Sequence, residues 1–178
     1  MIDTKTITDL LAKNNITAVK GQLGTFVVIT QPGTGPLLDT SMEAEVNYTG
    51  KSFDGKPFDS NVDPAFGHVT PLGVKMWASP ETGGVISDWT DGLKLLSKGA
   101  KATFYIPSAL AYGSHGAGGK IGPNENLIFD VEIVDVKTRA QAEAADAIAK
   151  AKMEAMRQHY MDSLQHAQPQ QQQQQQHP

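Results

Sequence analysis

The sequence predicts an α+β fold in which an antiparallel, twisted β-sheet wraps around one short helix, with a short N-terminal helix and a long C-terminal helix. Two observations support this fold class. Between residues 21 and 137, glycine, proline and Asp-Gly turns separate short runs of alternating apolar and polar residues, which is typical of antiparallel strands. Residues 138–166 are instead dominated by residue types that favour helices, with alanine prominent among them. A chain of 178 residues is long enough for one domain with its own core and these additions.

The first segment, residues 1–20, is predicted to be a helical extension. Three apolar residues lie at helical spacing within residues 4–13, namely Ile7, Leu10 and Leu11. Asp3 or Thr4 is placed to cap the start of this helix. The pair Asn14-Asn15 is expected to end it.

Short strands are predicted along the second segment, residues 21–137. A first strand is expected at residues 26–30, and a second at residues 43–49, where alternate side chains share one face. Residues 52–58 contain an Asp-Gly pair, which predicts a hairpin. Residues 101–106 alternate again and complete the middle of the predicted sheet of five or six strands.

The last predicted strand, residues 126–136, contains a change of phase. Its apolar residues alternate as far as Ile133 and then continue at Val134 and Val136. A shift of one residue in the alternation predicts a β-bulge or a strong local twist at this point.

One helix is predicted inside the sheet domain, at residues 87–96. Trp89, Leu93 and Leu96 are spaced to form one apolar face, and Gly99 is expected to end the helix. This is the short helix around which we expect the sheet to wrap.

The composition excludes several kinds of protein. The absence of cysteine excludes disulfides and thiolate metal sites, and a formal charge of −4 gives no electrostatic footprint for nucleic acid. No apolar run approaches the roughly 18–20 residues that span a bilayer. The five histidines are scattered without close ligand spacing, so we predict neither a metal site nor a cofactor.

The two ends of the sequence add further expectations. Residues 167–178 include seven consecutive glutamines and are expected to be a disordered tail. The first residues have no basic stretch followed by an apolar stretch, so they show no secretory signal. The sequence as it stands therefore predicts a cytoplasmic protein, and a signal removed before Met1 would make it periplasmic or exported.

Five motifs follow one another in a fixed order through the sheet domain. They are residues 46–50 (VNYTG), 54–60 (DGKPFDS), 85–93 (VISDWTDGL), 111–113 (AYG) and 127–132 (LIFDVE). Together they resemble the signature of the FKBP-type peptidyl-prolyl cis-trans isomerases, and the resemblance runs from about residue 21 to residue 136. It implies that residues 21–137 form an isomerase domain that assists protein folding by accelerating rotation about X–Pro bonds.

The resemblance also implies which residues form the site. Trp89 would form the floor of an aromatic pocket for a proline ring, and Asp59 would be its one acidic group. The walls would be Tyr48, Phe58, Val85, Ile86 and Phe129, with Ile121 and Tyr112 along the rim and Phe66 as a further wall residue. The backbone N–H of Ile86 and the hydroxyl of Tyr112 would donate hydrogen bonds to substrate carbonyls.

The chemistry of proline isomerisation fits such a pocket. Rotation about an amide faces a barrier of ~18–20 kcal/mol set by resonance, and it breaks no bond. The reaction therefore needs no nucleophile, metal or cofactor, and an apolar pocket with a few placed donors suits it.

Three positions depart from the family pattern. Asp88 stands where the family has glycine, which would be unfavourable if that backbone position needs a positive φ. Gly122 stands where many members have proline. Residues 74–84 are longer than the usual connection, so that Val74, Met76 and Trp77 form either a local packing patch or an added substrate-contact flap. Asp88 and this long connection favour an alternative, in which the chain is an FKBP-fold binding or chaperone module with little catalytic activity. The Ala-rich residues 138–166 and the glutamine-rich tail favour it too, because they could serve partner contacts.

The partners implied by the resemblance are proline-containing segments of client proteins. Macrolide inhibitors of the family's usual type are also implied, whether the chain is an active isomerase or a binding module. The sequence does not identify the clients. The N-terminal helix or residues 138–166 are candidates for pairing two chains into a homodimer.

Overall fold

The computed structural model of the chain describes residues 2–166, so the predicted glutamine-rich tail lies outside the described residues. Within this range the helices are α1 (Ile2–Lys13), α2 (Ser87–Leu93) and α3 (Arg139–His166). The strands are β1 (Val19–Lys20), β2 (Phe26–Gln31), β3 (Met42–Ser52), β4 (Pro57–Ser60), β5 (Leu72–Lys75), β6 (Lys101–Ile106) and β7 (Leu127–Thr138).

All seven of these strands belong to one antiparallel sheet with the order β1-β2-β6-β7-β3-β4. The central strand β3 pairs with β7 along its whole length, and its other edge pairs with β4 at one end and β5 at the other. The predicted antiparallel sheet around one short helix is confirmed. The sequence missed β1 and β5 because strands of two and four residues are too short to show an alternating pattern.

The predicted phase change in β7 is confirmed as a bulge. Glu45 of β3 pairs with Asp135, whereas the next residue, Val46, pairs with Ile133. Val134 is therefore the extra residue, and its side chain is exposed while Ile133 is fully buried. The bulge reverses which residues of β7 face the core beyond this point.

The main core lies between the sheet and α2. Trp89, Leu93 and Leu96 are buried there against side chains such as Phe104 and Ile133. The α-helical part ends at Leu93, three residues earlier than predicted. The chain continues in one more, tighter turn, in which the N–H of Leu96 donates a hydrogen bond to the carbonyl of Leu93. Leu96 therefore still reaches the core.

The N-terminal helix α1 packs on the opposite face of the sheet. Ile7 and Leu11 are buried with Phe26, whereas the neighbouring Val27 points into the main core. The predicted cap was wrong, because α1 begins at Ile2 and so includes Asp3 and Thr4. Its predicted end was right: the last helical residue is Lys13, and Asn15 adopts a left-handed conformation with φ of 53°.

The long connection at residues 74–84 packs as part of the fold. Val74 and Met76 are buried in the main core, and the guanidinium carbon of Arg139 lies 5.1 Å from the centroid of the Trp77 ring. The idea of an exposed flap was therefore wrong for Val74 and Met76. Val74 lies on strand β5 and Met76 directly follows that strand, so burial of both apolar side chains in the core stabilises this connection.

The chain divides into two compact units, and the first ends at Arg139. The second begins at Ala140 and contains the rest of α3. Along this helix four exposed apolar residues follow one stripe, namely Met153, Met156, Tyr160 and Leu164. No helix among residues 2–166 is both long and apolar enough to cross a membrane.

Candidate active site

A cavity of about 290 Å³ opens between β3, β4, the start of α2 and β7. It is lined by Tyr48, Phe58, Asp59, Leu72, Gly84, Val85, Ile86, Trp89, Tyr112 and Phe129. Eight of these ten residues are the ones that the sequence motifs single out. These eight residues come from five separate stretches of chain, which the sheet and α2 bring together.

The rings in this pocket are arranged edge to face. The indole of Trp89 lies 5.3 Å from the centroids of both Tyr48 and Phe129, with interplanar angles of 86° and 85°. Phe58 meets Phe129 in the same way at 5.7 Å. Each such contact places the positive edge of one ring on the negative face of another, so the rings hold one another in position. Trp89 is almost fully buried, which makes it the base of the pocket.

Gly50 of β3 allows two of these rings to meet. A Cβ atom at this position would lie 2.7 Å from Phe129 and 2.8 Å from Phe58, closer than carbon atoms can approach without movement. The TG dipeptide of the motif at residues 46–50 is therefore tied to the shape of the pocket, because any larger residue would push the two rings apart.

Polar groups occupy one edge of the pocket. The Tyr48 hydroxyl donates to Asp59 Oδ2 at 2.7 Å, and the backbone N–H of Ser60 donates to Asp59 Oδ1 at 2.9 Å. Burial raises the pKa of the Tyr48 hydroxyl well above its usual range, and the hydrogen bond to Asp59 raises it further. Tyr48 is therefore a permanent donor that orients the carboxylate.

His68 also lies at this edge, and the sequence did not single it out as a site residue. Its Nε2 atom is 3.6 Å from Asp59 Oδ1 and 3.5 Å from the Tyr48 hydroxyl. Its Nδ1 atom is 3.2 Å from the carbonyl oxygen of Phe66. No motif covers this position, because it depends on the course of the loop between β4 and β5.

Ile86 lines the pocket directly before the start of α2. Its φ and ψ of −56° and 145° are extended, and its carbonyl accepts the N–H of Trp89 at 3.0 Å. The extended conformation sets this residue apart from the helix that follows. Tyr112 also lines the pocket, and it is 42% exposed.

Two predicted residues lie elsewhere. Phe66 lines an adjoining cavity of about 280 Å³ that shares only the Phe58 ring with the pocket. Ile121 is 7% exposed and belongs to the main core. In their place the structure brings Leu72 and Gly84 to the wall, which the sequence did not indicate because neither belongs to a motif.

A slightly larger groove of about 320 Å³ crosses the middle of the sheet on its polar side. It is lined by residues such as Thr30, Asn47 and Thr103, and the Lys101–Glu132 ion pair lies along it at 3.3 Å. Tyr48 is the only aromatic residue that lines this groove, whereas five aromatic residues line the other cavity, so the aromatic pocket is the better candidate for a binding site. Residues 2–166 contain no cluster of three histidine or acidic side chains that could hold a metal ion.

Comparisons with known proteins agree with this geometry. A family model described as FKBP-type peptidyl-prolyl cis-trans isomerase matches residues 38–134. A probable FKBP-type peptidyl-prolyl cis-trans isomerase from Haemophilus influenzae is 38% identical over 120 residues, which are 67% of this chain and 46% of that protein. An FK506-binding protein from Neisseria meningitidis is 37% identical over 113 residues, which are 64% of this chain and 96% of that protein.

Solved structures give the same result. The crystal structure of a peptidyl-prolyl cis-trans isomerase from Pseudomonas syringae matches with a TM-score of 0.60 and 31% identity, covering 77% of this chain and 95% of that one. The first curated relatives are longer proteins, and the chain spans less than half of their length.

Proposed function

The chain belongs to the FKBP-type peptidyl-prolyl cis-trans isomerase family, and we propose that it accelerates X–Pro rotation in client polypeptides and so assists their folding. The observation that carries this proposal is the convergence of the Trp89, Tyr48 and Phe129 rings into one apolar pocket with a single carboxylate at its edge. A proline ring is a compact apolar group without an N–H, and it suits such a pocket.

The proposed mechanism is selective stabilisation of the twisted amide. Uncatalysed X–Pro rotation takes tens to hundreds of seconds because the planar amide is held by resonance. The planar form is also the more polar one, so a pocket that removes water from it weakens its advantage. Each ~1.4 kcal/mol by which the pocket favours the twisted form over the planar form raises the rate tenfold.

We assign the roles in this mechanism as follows. Trp89 supports the face of the proline ring, while Phe58 and Phe129 close on its sides. The backbone N–H of Ile86 and the hydroxyl of Tyr112 donate to carbonyls on either side of the rotating bond. Fixed donors of this kind need no reorganisation during the reaction, which is why they stabilise the transition state more than mobile water does.

The same pocket is proposed to bind macrolide inhibitors, which fits the name of the Neisseria meningitidis FK506-binding protein. Two of the observations that favoured a binding module without efficient catalysis are weakened by the structure. The connection at residues 74–84 is packed into the core at Val74 and Met76, and Asp88 is not among the described residues with positive φ.

The test is exchange NMR on a short Ala-Leu-Pro-Phe peptide, with and without the protein. We expect faster cis–trans exchange with the protein, and at least about a tenfold loss in kcat/KM for Trp89→Leu, equivalent to about 1.4 kcal/mol of transition-state stabilisation. Trp77→Leu is the matched control, because it removes the second tryptophan, which does not line the pocket. Exchange no faster than in buffer would contradict the proposal, and equal losses in both variants would contradict the role of Trp89.

A further inference from the structure

The side chain of His68 sits directly behind the polar edge of the aromatic pocket. It does not line the cavity itself, whereas Asp59 and Tyr48 do. Its Nε2 atom is within ion-pairing distance of Asp59, at 3.6 Å from Oδ1. Any change in the charge of His68 therefore reaches the cavity through Asp59, the one charged side chain among the described residues that line the cavity.

Both nitrogen atoms of the His68 ring face acceptors. Nδ1 lies 3.2 Å from the carbonyl oxygen of Phe66, and Nε2 faces the Asp59 carboxylate. The Tyr48 hydroxyl, 3.5 Å from Nε2, already donates its proton to Asp59 at 2.7 Å. A neutral imidazole has one N–H and can satisfy only one of the two acceptors, whereas the protonated ring has an N–H for each.

Three other ionisable groups at this end of the molecule have defined roles. Tyr48 remains protonated because burial raises its pKa, so it contributes no charge. Asp63, just before the turn that leads to His68, accepts the N–H of Ala65 at 2.9 Å and caps that turn. Tyr112 belongs to the other side of the cavity and acts on Tyr48 through space. Asp59 is thus the charge that His68 opposes.

We infer that His68 is a positioning residue that sets the net charge at the edge of the proline pocket and thereby makes the choice of client sequence depend on pH. This inference rests on the proposed function. With His68 neutral, the edge carries the charge of Asp59 and favours a cationic residue beside the client proline. With His68 protonated, the pair is neutral and this preference is lost. Histidine is the side chain whose ordinary charge change falls between about pH 5 and 8, and the test below covers most of that range.

The test compares two peptides, Ala-Lys-Pro-Lys-Ala and Ala-Gln-Pro-Gln-Ala, by exchange NMR between pH 5.5 and 8. This range brackets the ordinary titration of imidazole. It also includes the pKa of about 6 of the Asp88 carboxyl group, which the His68 variants retain, so that comparison with them separates the two groups. For the unmodified chain we expect the ratio of kcat/KM for the lysine peptide to that for the glutamine peptide to fall about two- to fivefold from pH 8 to pH 5.5. The change in kcat/KM should come from KM and not from kcat. The attraction between Asp59 and the peptide lysines is the same before and during rotation, so it strengthens binding without lowering the barrier of the bound peptide.

Two variants bracket the switch. His68→Asn cannot gain charge, and its ratio should stay at the high-pH value throughout. His68→Lys carries a permanent charge, and its ratio should stay at the low-pH value. His68 is 44% exposed, so neither replacement disturbs the core. A flat ratio in the unmodified chain, or a His68→Asn variant that follows the same pH curve, would overturn the inference.

The dissociation constants of the same two peptides, measured from the NMR signal of the Trp89 indole, test the role of His68 independently of any isomerase activity. If neither the unmodified chain nor either His68 variant accelerates exchange, the proposed isomerase activity is wrong. The pH dependence of the two dissociation constants then decides about His68 by the same criteria, with a pH-dependent ratio in its favour and a flat ratio against it.

Discussion

Asp88 is a charged residue in an environment that does not suit its charge. Its side chain is 4% exposed, and Oδ1 has no hydrogen-bond partner among the described residues. Burial, and to a smaller degree the neighbouring Asp91, raise the pKa of Asp88 to about 6. Asp91 is buried too, but it accepts the N–H groups of Gln22 and Leu23 at 2.8 and 3.0 Å. The two carboxyl groups therefore have opposite effects on stability.

We expect Asp88→Asn to stabilise the chain at pH 8 by about 1–3 kcal/mol. The unfolded carboxyl group titrates near pH ~3.9, below the folded one, so the native state loses stability as the pH rises from about 4 to about 6 and is level above that. The gain from Asp88→Asn should follow this curve and vanish near pH 4. Urea unfolding at several pH values measures it.

Asp91→Asn is the matched control for this measurement. It keeps the size of the side chain but weakens two hydrogen bonds to a carboxylate, so we expect it to destabilise the chain at pH 8. If Asp88→Asn raises the free energy of unfolding by the same amount at every pH, the burial of a charge is not the cause of the gain.

The residues of the site differ in how far the sequence could predict them. Tyr48, Trp89 and Phe129 lie on a strand or helix within motifs, and regular structure fixes where they point. His68 and Phe66 belong to the loop after β4, where Gly67 takes a left-handed φ of 82° and redirects the chain. A turn of this kind decides which side chain faces the pocket, and periodicity carries no information about it.

At the scale of elements, α2 shows a conflict between helix propensity and packing. Gly92 lies inside this helix, where alanine would be favoured by about 1 kcal/mol. A Cβ atom there would lie 2.8 Å from the Phe104 ring, which is fully buried on β6. The glycine therefore allows α2 to approach the sheet closely, and the short helix keeps Trp89 at the base of the pocket.

We expect Gly92→Ala to destabilise the chain despite its better helix propensity. Overpacking of a core typically costs about 1–3 kcal/mol, which exceeds the gain of about 1 kcal/mol in propensity. Thr90→Ala in the same helix is the control and should cost less, because Thr90 is only partly buried and its hydroxyl bonds within its own turn. Urea unfolding curves measure both, and a stabilised Gly92→Ala variant would contradict the close approach.

The element boundaries were predictable where one local pattern decides them. The bulge at Val134 follows from the phase of apolar residues, because the buried face of β7 leaves no other register. The start of α1 and the end of α2 were less well predicted. A helix start depends on a single capping residue, and a helix end depends on whether the last turn keeps α-helical bonds or changes to tighter ones.

At the scale of the whole molecule, the two terminal helices differ in where their apolar residues lie. Ile7 and Leu11 of α1 are buried within the fold, so they are not available for pairing with a second chain. On α3, Met153, Met156 and Tyr160 are each at least 60% exposed. A stripe of exposed apolar side chains on one helix face is unusual unless another surface covers it. Homodimer formation stays a prediction, and α3 is the helix that supports it.

We expect sedimentation velocity of the full chain to show a dimer whose dissociation constant rises at least about tenfold in Met156→Lys. Burying a methionine contributes about 1.5–3 kcal/mol, and a lysine in its place loses that contribution and brings a charge to the interface. Ala151→Lys is the matched control, because it adds the same charge at an exposed position on another face of α3. A full chain that remains monomeric up to about 100 μM, a concentration at which even a weak dimer would form, would exclude pairing through this stripe. Equal weakening by both lysines would point instead to a general effect of charge.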